Sequence, residues 1–153
     1  MPIPVKQLQP VALATTEGEH GTTRRLLPQM ILRTQRIFDQ IDHGLAQGFL
    51  TMRRRHLLDL DNRKGKAPGG YQSTLPESRL PFIFMNAVGQ QRDVETMLHE
   101  AGHAFHALAT REEPLYAYRG SPIEFCEVAS MSMELLAMPY LVQPDGYYTR
   151  DEA

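Results

Sequence analysis

Apolar and polar positions recur along this chain with different periods, and each period predicts a different element. From about Leu27 onward, Ile31, Ile37, Phe38, Ile41 and Leu45 follow spacings of three, four and six to seven, which puts them on one stripe of a helix. Gly44 and Gly48 interrupt the stripe. A second helical piece follows in "LAQGFLTMRRRHLLDL", packed antiparallel or at an angle to the first. In "NRKGKAPGGYQST", Gly65, Pro68, Gly69 and Gly70 forbid a helix and predict a turn leading into a strand near Tyr71. The apolar run "RLPFIFMNAV", bounded by Pro81 and Asn86, predicts a second short strand. It is either a core strand or a sheet edge able to pair with an extended peptide. Asp93 is a good N-cap for a helix over 94–109. "SPIE" (Ser121 to Glu124) has the form of a capping box with proline at the first helical position. It predicts a helix from Pro122 to about Met138, stopped by Pro139. The order is helix, helix, two short strands, helix, helix.

With 153 residues the chain is one domain or part of one. Its 42% hydrophobic content is enough for a packed core. The net charge is −2, and the basic "MRRRH" is offset by the neighbouring "DLDNRK", so no nucleic-acid partner is expected. A single cysteine, Cys126, excludes an intramolecular disulfide and fits a reducing compartment. The N-terminus lacks the apolar run of a signal peptide, and no window approaches a membrane span. The expectation is a soluble, cytoplasmic chain with no membrane partner. Residues 1–24, with Pro2, Pro4, Pro10 and the polar "TTEGEHGTT", read as extended or loosely ordered. Residues 25–141 read as the folded core and 142–153 as a C-terminal tail.

The chemistry concentrates in "TMLHEAGHAFHALAT", where "HEAGH" matches H-E-x-x-H. Positions i and i+4 share one helix face, so His99 and His103 can converge on one ion. Glu100 points sideways and can reach a water without binding the metal. The rest of the helix is apolar (Val94, Met97, Leu98, Ala101, Ala104, Phe105, Leu108), where unpaired histidines are costly. A zinc site needs a third protein ligand. The following helix offers Glu124, Glu127 and Glu134 near one face. Spacing alone leaves Glu124 and Glu127 open. Glu124 sits in the first turn with a capping role, which favours Glu127. Glu134, two turns beyond Glu127, suits a hydrogen bond to a ligand imidazole. His106 is expected to pack or hydrogen-bond, and Cys126 points away from the ligand face. His20, His43 and His56 are isolated.

Taken together, "FIFMN", "TMLHEAGHAFH" and "EFCEVASMSMELL", preceded by "DLDNRKGKAPGGYQSTLPESRLPF", resemble the oligoendopeptidase F branch of the thimet-oligopeptidase-like zinc peptidases. The motifs of that branch are H-E-x-G-H-x-x-H and, on a later helix, F-x-E-x-x-S-x-x-x-E. The resemblance runs from about residue 36 to 140. It implies a mainly α fold with a short β hairpin or small sheet, a zincin-like (gluzincin) catalytic core. It implies one Zn²⁺ per chain held by His99, His103 and Glu127, with Glu100 as the base. It implies hydrolysis of short peptides by metal-activated water. Family members are several times longer, with two halves around a deep channel and later histidine and tyrosine donors for the reacting carbonyl. Tyr147 and Tyr148 come too soon after the zinc helix to be those donors. The expectation is therefore a fragment holding the metal half of the site. Its partners would be short peptides, and either a second copy of itself or a chain supplying the missing C-terminal part. The competing expectation is a zinc-binding fragment without turnover, an interaction module or inactive remnant.

Overall fold

The computed structural model describes residues 19–142 and 146–148, with side chains from Leu27 onward. The elements are α1 (Glu19–Ile41), α2 (His43–Arg54), β1 (Leu58–Asp61), β2 (Tyr71–Leu75), β3 (Leu80–Ala87), α3 (Gln91–Thr110) and α4 (Ile123–Ala137). The chain is mostly helical, with one small mixed sheet.

The first apolar stripe is shared between two helices. Asp42 breaks it: its backbone is extended, and its carboxylate accepts the Leu45 N–H at 3.0 Å as the N-cap of α2. Folding back at this point brings Phe38 edge-on to Phe49 and to Phe105 of α3, with ring centroids 5.1 and 4.9 Å apart. Ile37, Phe49, Met52, Ile83, Met97 and Ala104 complete a continuous core between helices and sheet.

Three expectations about boundaries need correction. Helix α1 begins at Glu19, so 19–24 are helical rather than extended; residues 1–18 lie outside the described residues. Extending a packed helix costs far less than nucleating one, so weak formers such as Thr22 and Thr23 are carried along. Helix α2 stops at Arg54, and "LDLD" is a strand. His56, at φ 56, makes the left-handed turn between them. Residues 146–148, assigned above to a tail, pack on α1. The Tyr147 hydroxyl lies 2.6 Å from Thr34 Oγ1 and donates to the Met30 carbonyl at 2.6 Å, while Arg33 bonds the Gly146 carbonyl at 3.1 Å. Burial pushes both phenols up, Tyr148 to about 12, so neither is poised as an acid at neutral pH.

The sheet order is β1-β3-β2, with β1 parallel and β2 antiparallel to β3. Strand β3 is therefore central and paired on both edges, so the edge-strand alternative for "PFIFMN" does not hold. The outer strand beside α3 is β2. Lys66 pins the irregular β1–β3 register. Its side chain is 2% exposed, and Nζ donates to the carbonyls of Asp59, Asp61 and Met85 and to the Asp59 carboxylate. It sits 4.3 Å over the Phe84 ring, and burial pulls its pKa down. Among the described residues, no helix is long and apolar enough to cross a membrane.

Candidate metal centre

Helix α3 starts from a tight turn. Asp93 Oδ2 accepts the N–H groups of Val88, Gly89 and Gln90 at 2.8, 2.6 and 2.8 Å. Asp93 is thus the third helical residue reaching back to the turn, not the N-cap; Gln90 holds that position. One face of the helix then presents His99 and His103, with their Nε2 atoms 3.2 Å apart and their rings crossed at 83°.

What brings α4 to this face is Gly102. A Cβ there would lie 2.5 Å from Ser130 Cα, 2.8 Å from the Ala129 carbonyl and 3.1 Å from Met133 Cβ. The glycine of "HEAGH" lets two helix backbones touch, which sets Glu127 and Glu134 over the imidazoles. Glu127 Oε2 lies 3.3 Å from His99 Nε2, and Oε1 lies 3.7 Å from His103 Nε2. One donor atom from each of the three residues falls within 4.8 Å of the others. Glu134 Oε1 meets His99 Nδ1 at 2.6 Å. Ser130, buried at the crossing, donates to the Glu127 carbonyl at 2.9 Å and faces Glu127 Oε2 at 3.2 Å. Ser130 is the serine of the F-x-E-x-x-S-x-x-x-E pattern, one turn along the helix from Glu127. Glu124 is exposed and stands outside the cluster.

The capping box expected at Ser121 is absent. The N-cap of α4 is Pro122, with no side-chain cap. The Ser121 hydroxyl lies 3.1 Å from His106 Nε2 instead. That tie to α3 outcompetes a local cap and gives His106 its hydrogen bond.

The donor chemistry fits a metal. An ionised Glu134 only accepts, so Nδ1 of His99 carries the proton and its Nε2 offers a lone pair. That lone pair faces a carboxylate oxygen and a second imidazole nitrogen. A cation placed between these three atoms would be bound by all of them, and two imidazoles with one carboxylate match zinc.

Glu100 is 7% exposed. Burial raises its pKa, opposed by the His103 and His99 rings and by a backbone hydrogen bond from Gln72 of β2. With His99 and Glu134 it lines a cavity of about 520 Å³, walled opposite by Gly69, Gly70 and Asn86. Asn86 Nδ2 holds that wall through the Ala67 and Gly69 carbonyls, at 2.5 and 3.2 Å.

A Gly102→Ala substitution tests the helix contact. The added methyl meets backbone atoms that cannot rotate away, so overpacking of about 1–3 kcal/mol is expected in chemical denaturation. Unchanged stability would show that the helices have room to separate.

Two histidines and an acid from a crossing helix, beside a buried glutamate and an open cavity, define a candidate H-E-x-x-H metal centre. The chain belongs to peptidase family M3, whose sequence profile matches residues 35–152. It is similar to the chromosomal oligoendopeptidase F of Lactococcus lactis subsp. cremoris, 34% identical over 77 residues, which is 50% of this chain and 13% of the relative. It is also similar to the oligopeptidase PepF of Bacillus subtilis (strain 168), 35% identical over 85 residues, 56% of this chain and 12% of the relative. Among solved structures, one assigned as an oligoendopeptidase F from Bacillus anthracis str. Ames superposes with a TM-score of 0.75 at 30% identity. That match covers 82% of this chain and 22% of the other. The structure of PZ peptidase A with an inhibitor gives 0.72 at 34% identity, covering 74% and 20%. The chain thus spans a small part of the length of the relatives it matches.

Proposed function

We propose that this chain carries the metal-binding part of a zinc-dependent oligopeptidase active site, of the zincin-like type. The observation that carries this reading is the convergence of His99, His103 and Glu127 beside buried Glu100. Family membership and the oligopeptidase names of the relatives support it. His99, His103 and Glu127 would hold zinc. When bound there, zinc supplies a Lewis acid that polarises a peptide carbonyl and acidifies water.

The chain's own residues supply the rest. Glu134 fixes the proton on His99 Nδ1 and so keeps Nε2 free as a donor of its lone pair. Ser130, its single hydroxyl proton shared between the Glu127 carbonyl and Oε2, borders the Glu127 carboxylate at the helix crossing. Glu100 accepts the proton of the attacking water and passes it to the leaving amine. A raised pKa suits a carboxyl that must both take and return a proton. Gly69 turns at φ 99 with open space beside it, while Gly70 lets the wall of the cavity pack against Thr96 of α3.

A second reading, an interaction surface beside the site, is favoured by a specific feature. The outer face of α4 leaves Val128, Met131 and Leu135 at least 58% exposed, so apolar surface adjoining the site faces water. Zinc analysis of the dialysed chain, paired with hydrolysis of a quenched peptide library, tests the function. About one zinc per chain is expected, with slow hydrolysis that a chelator abolishes. A chain that retains no transition metal and gains no thermal stability from zinc has no such site.

A further inference from the structure

The far end of α3 carries a second charged cluster. Arg79, Arg111 and Arg119 line one cavity of about 300 Å³ together with Thr74 and Tyr116, and among the described residues no carboxylate lines it. All three arginines are half-buried. Carbonyls, not carboxylates, orient two of them. Arg79 Nη1 donates to the Arg111 carbonyl at 3.1 Å, and Arg119 donates to the carbonyls of Glu113 and Pro114 at 2.7 and 3.2 Å. Such bonds fix a guanidinium without cancelling its charge. The carboxyl end of α3 accounts for Arg79, which caps it. It does not account for the other two. Arg111 Nε is buried without a hydrogen-bond partner; the Glu112 carboxylate lies 3.1 Å away, off the N–H direction, and is 84% exposed. Arg119 also lies 5.9 Å from the centre of the Tyr116 ring. Like charges gathered around one concavity repel, and Arg79 is held there at φ 54, in the left-handed region. A bound oxyanion relieves the repulsion and supplies acceptors for the spare forks.

The position of the cavity says where that oxyanion would come from. Thr74 lies two residues along β2 from Gln72, whose backbone bonds Glu100. The outer strand therefore leads from the buried glutamate towards the arginines: Gln72 and Thr74 are roughly 7 Å apart along it, and Glu100 and Arg111 roughly 16 Å apart along α3. We infer that the Arg79–Arg111–Arg119 cavity is a subsite for an acidic side chain of a peptide whose backbone reaches Glu100. That the ligand is a peptide rests on the function proposed above; the preference for a carboxylate does not.

The test is calorimetric titration of the full chain, carrying Glu100→Gln so that no peptide is consumed. The probes are two end-blocked hexapeptides that differ only in glutamate against glutamine at two positions. The glutamate peptide is expected to bind about tenfold tighter, the worth of one charge-assisted hydrogen-bond pair. The double variant Arg111→Gln/Arg119→Gln should erase the difference while melting normally. Should it fail to fold, Arg111→Gln alone is read, with a loss of at least about threefold expected on the same grounds. Equal binding of the two peptides, or a preference that survives the substitutions, overturns the inference. So does inorganic phosphate binding tighter than the glutamate peptide at matched ionic strength, which would mark a small-oxyanion site. A chain without zinc or hydrolysis that still prefers the glutamate peptide supports the subsite and overturns only the peptidase function.

Discussion

Glu127→Ala is expected to abolish tight zinc binding. Glu127 is the carboxylate that reaches both imidazoles, at 3.3 and 3.7 Å, and its removal leaves two protein ligands. Loss of an outer partner such as Glu134 typically weakens a metal site ~10–100-fold; loss of a direct ligand should exceed that. The comparison is therefore graded. Competition titration with a chromophoric chelator should rank Glu127→Ala below Glu134→Gln, with Glu124→Ala at the wild-type value. Glu124 is exposed, makes no cap and stands apart from the histidines. Zinc retained by Glu127→Ala but lost by Glu124→Ala would mean that α4 sits about one turn out of register.

The fold was legible where periodicity had length to express itself. Helix α1 repeats its apolar stripe often enough to be read and β3 is an unbroken apolar run, whereas α3 and α4 were read from terminal signals that place the helices correctly although the caps themselves differ. Strand β1 was not legible, because "LDLD" has four residues and its partner lies in β3, beyond an intervening strand. The division between α1 and α2 was legible from Gly44 and Gly48, but its position at Asp42, two residues before Gly44, was not. The apolar positions continue through it, and only the aspartate and the following glycine mark the fold-back. Lys66 reads as one more basic residue in a glycine-rich turn. Its burial beneath three carbonyls depends on a register irregularity between two strands.

The site shows the same division. His99, Glu100 and His103 share one helix, so their mutual placement follows from helical geometry. The choice between Glu124 and Glu127 depends on how deep α4 lies against α3, which Gly102 and Ser130 decide through a backbone contact. Sequence spacing carries no information on that depth. The arginine cluster was invisible for a related reason. Arg79 comes from the β2–β3 turn, Arg111 from the end of α3 and Arg119 from the following connection, so no stretch of sequence contains the cluster.

Glu100→Gln is expected to separate binding from chemistry. The amide keeps the size of the side chain and an acceptor for the Gln72 N–H, so zinc affinity should stay near wild type. It cannot take a proton from water, and general-base contributions of ~10²–10⁴ in rate should disappear from whatever hydrolysis the wild-type chain shows. The metal-free protein offers a second, independent readout. Burial holds the folded-state pKa of Glu100 above its ordinary 4.5, so the native state binds this proton more tightly than the unfolded chain. Wild-type stability is then greatest below the ordinary value and falls as pH rises through the raised one. Glutamine has no such proton. Relative to wild type, the variant should therefore be no more stable in acid and more stable at neutral pH, where the wild type must bury a charge. Thermal melts of both metal-free proteins across that range read the difference directly. A variant that hydrolyses peptides as fast as wild type removes Glu100 from the mechanism. A difference in stability that does not change with pH means that the carboxylate is not strained by its burial, and the case for its raised pKa fails.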